Sequence, residues 1–278
     1  LEKFTTKSSV QQYVQQQRAS GKTIGFVATM GALHAGHISL IDIARRHCDI
    51  VISSIFVNPT QFNDTKDLEK YPRPIAVDVA MLEQAGCDAL FNPEVEEMYS
   101  GDEGWHLDIG ELEHLLEGRS RPGHYQGVMQ VVHKLFTIVK PDEAFFGQKD
   151  YQQFMVINKM TALMKMPVKL VMCPIVREPD GLAMSSRNIH LSADDRRHSL
   201  VLSQTLNQVY RDFDPASIAG LQDQAMQTLY NEEGVEPDYF VLVDGDTLHP
   251  ANQNTQKVVA LVAAKVGNTR LIDNVIVQ

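Results

Sequence analysis

Thr29-Met30-Gly31-Ala32-Leu33-His34-Ala35-Gly36-His37 decides how the chain is read. Before it, Thr23-Ile24-Gly25-Phe26-Val27-Ala28 is short, apolar and partly β-branched, the pattern of a buried strand. After it, Ile38, Leu40, Ile41 and Ala44 recur at helical spacing, with Asp42, Arg45 and Arg46 on the other side. Two glycines and two histidines therefore stand where a strand ends and a helix begins. An open α/β sheet binds its ligand at such a junction, and the N–H groups and dipole of the helix start favour an anion there. Gly31 and Gly36 let backbone approach a ligand closely, while His34 and His37 add donors that ordinary phosphate loops lack. The same junction needs glycine for its own turn, and a histidine at a helix start can simply cap it, so the nonapeptide alone leaves both readings open. The spacing His34-x-x-His37 suits a metal, but no cysteine, third histidine or carboxylate cluster nearby completes a tetrahedral set.

N-terminal to this stretch, residues 1–21 have polar helix character and stop at Gly21. Asp49–Val57 predicts a second buried parallel strand that runs into Asn58-Pro59-Thr60-Gln61-Phe62. A helix over 74–86 ends at Gly86, and a strand begins at Asp88. This βαβαβ rhythm predicts a doubly wound parallel sheet of the α/β class. Further along, Trp105–Ile109 reads as a strand, 126–139 as a helix, 144–146 as a strand entering Gly147, 150–164 as a helix and 168–172 as a closing strand. Pro174–Leu191 is rich in turn residues and marks a domain junction. Beyond it come amphipathic helices at 193–213 and 215–233 and strands at 237–243, 257–265 and 269–277. The expected organisation is a Rossmann-like domain over 1–174 and a smaller C-terminal α+β domain over 175–278.

Composition narrows the function classes. With 35 acidic against 25 basic residues the formal charge is −10, which opposes a nucleic-acid footprint. No apolar run approaches the ~20 residues that span a bilayer, and no signal peptide is visible. Cys48, Cys87 and Cys173 are far apart and odd in number, which fits a reducing cytoplasm rather than a disulfide framework. The acidic and basic runs at 64–70 and 94–103 read as solvated surface, and His47, His133, His190, His198 and Trp105 as structural residues.

Neither the Gly-x-Gly-x-x-Gly fingerprint of dinucleotide folds nor the Gly-x-x-x-x-Gly-Lys phosphate loop follows the first strand. That disfavours a nicotinamide oxidoreductase and a P-loop ATPase. Asn58 is good turn chemistry with Pro59 and Thr60, whereas Gln61 offers donor and acceptor to a small polar substrate. In Gly147-Gln148-Lys149-Asp150, a lysine near a helix start is unfavourable unless it meets an anion. Asp150 there either caps the helix or holds Mg²⁺ bridging phosphates. In Met184-Ser185-Ser186-Arg187, two hydroxyls and a permanent guanidinium suit phosphate.

Met30–His37 resembles the His-x-Gly-His signature of the nucleotidylyltransferase superfamily and, more narrowly, the pantoate–β-alanine ligase (pantothenate synthetase) family. Five segments match that family in order, over nearly the whole chain. The resemblance implies that His34, His37 and Lys149 are catalytic. It further implies that Met30, Gly31, Gly36, Gly147, Asp150, Val176, Met184, Ser185, Ser186 and Arg187 join them in binding ATP, with Val176 at the adenine. Gln61, Asn58 and Gln153 would hold pantoate or β-alanine, and Asp150 would hold Mg²⁺. The segment 184–187 resembles a mobile second signature that closes over the triphosphate. A cytoplasmic homodimer is implied as well.

Two positions depart from the family pattern. Gln126 stands where an arginine is usual, so Arg119 or Arg121 is the candidate substitute for its charge, and Ala28 replaces a common proline.

The reaction implied is ATP-dependent ligation through pantoyl adenylate, with pyrophosphate and AMP released. An adenylyltransferase that stops after nucleotide transfer, and a nucleotide-binding module without turnover, are the alternatives. A tRNA synthetase is the weaker fit, because the chain has no room for an anticodon-binding region.

Overall fold

The computed structural model describes residues 1–101 and 104–278, so Asp102 and Glu103 of the acidic run at 94–103 lie outside the described residues. Two compact units emerge, each with its own core: Leu1–Gly147 with Gln152–Cys173, and Gln148–Tyr151 with Pro174–Gln278.

The first unit runs β1 (Glu2–Phe4), α1 (Lys7–Ala19), β2 (Ile24–Thr29), α2 (Ala35–His47), β3 (Ile50–Ile55), α3 (Thr65–Lys70), α4 (Ile75–Gln84) and β4 (Ala89–Phe91). It continues through α5 (Val95–Met98), α6 (Leu116–Ser120), α7 (His124–Val139), β5 (Glu143–Gly147), α8 (Tyr151–Leu163) and β6 (Lys169–Cys173). The six strands pair in the order β1-β4-β3-β2-β5-β6, all parallel.

Successive strand residues face opposite sides of the sheet, and both sides are apolar here. Phe26, Ile52 and Phe91 join α1, α7 and α8 residues in one cluster, while Val27, Val51 and Leu90 join α2 and α4 residues in another. Burial on both faces explains why β3 carries no exposed position. Gly127 on α7 is dictated by packing, since a Cβ there would collide with the Thr60 carbonyl oxygen.

The chain leaves β2 toward β3 and β4 but resumes on the other side of β2 with β5 and β6. The topological switch point therefore lies between β2 and β5, whose carboxyl ends carry the Thr29–His37 stretch and Gly147.

Two sequence expectations need correction. The opening segment is not helix alone: Glu2–Phe4 forms an edge strand on β4. Three residues with a single apolar side chain give too little pattern to show this. Trp105–Ile109 is not a strand, because the backbone N–H and C=O of Leu107 both bond to the Gln126 side chain instead of a neighbouring strand.

The second unit contains α9 (Ala193–Asp212), α10 (Ile218–Asn231) and an antiparallel sheet of β7 (Val235–Asp244), β8 (Val258–Val266) and β9 (Thr269–Ile276), with β8 central. α9 packs on β8 and β9, and α10 on β7. The turn-rich stretch 174–191 is more ordered than a loop: Arg177 and Ala183 bridge antiparallel, and a 3-10 turn follows at Ser186–His190. Residues 148–151 belong to this unit because the Asn274 side chain bonds the carbonyls of Gln148 and Lys149, and the Tyr151 hydroxyl bonds that of Gly245. Among the described residues no helix is long and apolar enough to cross a membrane.

Candidate active site

The carboxyl end of β2 turns through a left-handed segment, with Gly31 at φ 81° and Ala32 at φ 51°. Left-handed backbone is costly for alanine, and a specific contact holds it here. Asp78, on α4 and 1 % exposed, accepts the N–H groups of Ala32 (2.9 Å) and Leu33 (2.8 Å) on its two carboxylate oxygens. Glycine is required at 31, because a Cβ would meet Asp78 Oδ2 at 3.0 Å and Ile55 at 3.1 Å. Sequence reading missed Asp78: an acid in the first turn of a helix looks like ordinary dipole compensation.

The two histidines then start α2 as a reciprocal cap. His34 Nδ1 accepts the Gly36 N–H at 3.1 Å, and His37 Nδ1 accepts the His34 N–H at 3.3 Å. This is the capping-box arrangement with imidazoles in both roles. An accepting Nδ1 carries no proton, so the ring proton of each neutral histidine sits on Nε2. Capping thus sets the tautomer, and the two ring centroids lie 4.1 Å apart.

After β3, Asn58 is 1 % exposed and uses its whole amide internally. Its Nδ2 donates to Gln61 Oε1 and the Gly127 carbonyl, both at 3.1 Å, and its Oδ1 accepts from the Tyr99 hydroxyl at 2.7 Å and from Thr60. Gln61, so held, donates through Nε2 to Met30 Sδ at 3.3 Å, which brings the ends of β2 and β3 into contact. Below it, buried His124 bonds the Gln61 carbonyl through Nδ1 (2.8 Å) and Arg121 through Nε2 (3.1 Å). Arginine only donates, so His124 is the Nδ1–H tautomer.

Gln126 pins the 105–113 segment. Its Nε2 donates to the Leu107 carbonyl and to Glu113 Oε2 (2.6 Å), and its Oε1 accepts the Leu107 N–H. Gln153 is half-buried on α8, and the neighbouring Gln152 is spent on the backbone of Leu112, Leu115 and Glu117. A Cβ on Gly147 would meet no atom within 4 Å, so among the described residues nothing in the packing demands glycine there.

The other expected site residues belong to the second unit. Lys149, 18 % exposed, lies 3.7 Å from the Asp150 carboxylate. Val176 and Met184 face each other across the hairpin, joined by the Met184 N–H to the Val176 carbonyl at 3.0 Å. Ser185 caps the following 3-10 turn by accepting the Arg187 N–H, Asn188 ties it back to the Ala183 carbonyl, and the Arg187 side chain is exposed. The hairpin is anchored by Arg177, which grips Asp273 through two bonds of 2.6 and 3.1 Å and the Gly181 carbonyl through a third. Burial raises the Asp273 carboxyl above its ordinary range, and the Arg177 guanidinium pulls against that rise.

No group of three or more His, Cys, Asp or Glu capable of caging a metal occurs among the described residues. A single half-exposed carboxylate such as Asp150 would fit Mg²⁺ only with phosphates and waters completing its shell.

Comparison with known proteins agrees along the whole chain. The family model described as pantoate-beta-alanine ligase matches residues 2–276. The pantothenate synthetase of Porphyromonas gingivalis is 45% identical over 278 residues, covering 99% of both chains. That of Thermotoga petrophila is 46% identical over 274 residues, covering 98% of both. The crystal structure of pantothenate synthetase from Thermus thermophilus superposes with a TM-score of 0.93 at 38% identity, covering 100% of this chain and 99% of that one. A pantoate-beta-alanine ligase from Francisella tularensis, described as complexed with beta-gamma ATP and beta-alanine, superposes with a TM-score of 0.82 at 34% identity, covering 99% and 97%.

Proposed function

The chain belongs to the pantoate–β-alanine ligase family, and on that premise we propose how its own residues carry the ligation of pantoate to β-alanine with ATP. In the first step a carboxylate oxygen of pantoate attacks the α-phosphorus of ATP. The bond from that phosphorus to the bridging oxygen breaks, and pyrophosphate leaves. The nucleophile is already an anion, so no general base is needed. What the step requires is alignment and stabilisation of charge growing on phosphate oxygens. In the second step the neutral amine of β-alanine attacks the acyl carbon. The carbon–oxygen bond to phosphate breaks, AMP departs and one proton is released.

The observation that most supports this reading is the start of α2. His34 and His37 cap the helix through Nδ1, which puts the proton of each neutral ring on Nε2, at a helix N-terminus on the carboxyl edge of a parallel sheet. We assign these donors, with the backbone of Met30, Gly31 and Gly36, to the phosphates of ATP. Gln61, clamped by Asn58 and leaning on Met30, is assigned to pantoate, as is Gln153, while Asn58 acts by holding Gln61.

Lys149, Ser185, Ser186 and Arg187 are assigned to the triphosphate for their charge and hydroxyl donors, and Val176 and Met184 to the nucleotide. Gly147 keeps its backbone open to ligand, and Asp150 would hold Mg²⁺, which neutralises phosphate charge when bound. We also assign the enzyme to the cytoplasm, with which three free, buried cysteines agree, and to a homodimer, testable by light scattering on the eluting protein.

Isotope transfer tests the chemistry. Pantoate labelled with ¹⁸O in its carboxylate must leave one ¹⁸O in AMP. Label in inorganic phosphate, with ADP formed, would replace the adenylate by an acyl phosphate.

A further inference from the structure

Asn274 lies on β9, far from every motif, and is 1 % exposed. Its side-chain amide is directed at the 148–149 segment. Both hydrogens of Nδ2 go to backbone carbonyls, those of Gln148 and Lys149, each at 2.9 Å. Its Oδ1 accepts from Gln148 Nε2 at 3.1 Å. Those two carbonyls belong to the peptide groups on either side of the Lys149 Cα. Fixing both planes fixes φ and ψ of Lys149, so its ammonium moves only through its own side-chain torsions. Asn274 stands in register with Leu261 of β8, and its N–H is taken by Asp273 Oδ1 at 2.8 Å. Asp273 in turn is the carboxylate that holds Arg177 and the hairpin leading to Ser185–Arg187.

We infer that Asn274 is a positioning residue for adenylyl transfer, acting by locking the backbone on both sides of Lys149. The inference rests on the reading of Lys149 as a phosphate-binding residue. A lysine ammonium is a point charge on a flexible stem, so a fixed origin is what the fold can contribute to its alignment. A misplacement of about 1 Å at a transferring group can cost on the order of 10²-fold in rate.

A double-mutant cycle on the full chain, read as pantoate-dependent pyrophosphate release, tests this. Asn274→Ala is expected to lower kcat by roughly 10- to 100-fold and to leave the KM for pantoate within about twofold. In a Lys149→Ala background the same substitution is expected to cost less than about threefold, because the group it positions is gone. A full multiplicative loss in that background would mean a general structural role and would overturn the inference. A harmless Asn274→Ala beside a damaging Lys149→Ala overturns the inference alone, whereas a harmless Lys149→Ala overturns the assignment of Lys149 and the inference with it. Should Asn274→Ala fail to fold, Gln148→Ala removes one bond of the lock while keeping the buried amide. It is expected to give a smaller loss with the same dependence on Lys149, and independence from Lys149 would overturn the inference.

Discussion

The carboxylate of Asp78 holds the two residues that precede His34, taking the N–H groups of Ala32 and Leu33 at 2.9 and 2.8 Å. A buried anion on one helix thereby shapes the loop that starts another, and the histidine cap follows from that shape. Asp78→Ala leaves two N–H groups without their acceptor, at about 1–3 kcal/mol each. Urea denaturation should show a loss of roughly 2–6 kcal/mol, and pyrophosphate release should fall along with it. Full activity in a folded Asp78→Ala protein would show that the loop keeps its shape unaided.

His34 and His37 can be separated from their capping role. His34→Asn retains an acceptor suited to a helix N-cap and removes the Nε2–H donor. Its stability should stay within about 1 kcal/mol of the parent, while the adenylation rate falls on the order of 10²-fold. His37→Ala and Lys149→Ala should each cost about 10²–10³ in that rate. Near-normal adenylation in either variant counts against its assignment.

Gln126 answers with geometry the question raised by its replacing an arginine. It both accepts from and donates to the backbone of Leu107. Arginine has no acceptor, so Gln126→Arg must orphan the Leu107 N–H. Both Gln126→Arg and Gln126→Ala are expected to lose about 1–3 kcal/mol in urea unfolding. A gain in stability with arginine would contradict this role.

The cysteines carry a pH signature. Burial pushes the Cys48 and Cys173 thiols up to about 11 and Cys87 up to about 12, from an ordinary value of about 9. Raised values mean that the folded chain holds these protons more tightly than the unfolded one. Their contribution to stability is whole below about pH 9 and is lost as pH climbs from 9 through 11–12. At pH 8 a thiol reagent should label none of the three until the protein is unfolded, and rapid labelling of the native chain would contradict their burial.

Much of this molecule is legible in its sequence because the parallel strands are continuous apolar runs and the helices are amphipathic. The histidine motif is legible for a local reason: strand, turn and helix follow one another directly. Asp78 and Asn274 are not legible, because each acts on a motif through backbone groups brought near only by the fold. Asp78 lies 45 residues from Leu33, and Asn274 lies 125 residues from Lys149. Asn58 is half legible: its turn chemistry is plain, but its grip on Gln61 and Gly127 needs the packing of α7. Trp105–Ile109 misleads because the alternation of a strand is present while its pairing partner is a side chain.

Ligation in two steps on one chain sets the order in which products leave. With ATP, Mg²⁺ and pantoate, pyrophosphate release should stop near one equivalent per site, with sustained AMP release only after β-alanine is added. Pyrophosphate release without pantoate, or none with it in a folded sample that binds ATP, would overturn the two-step ligation.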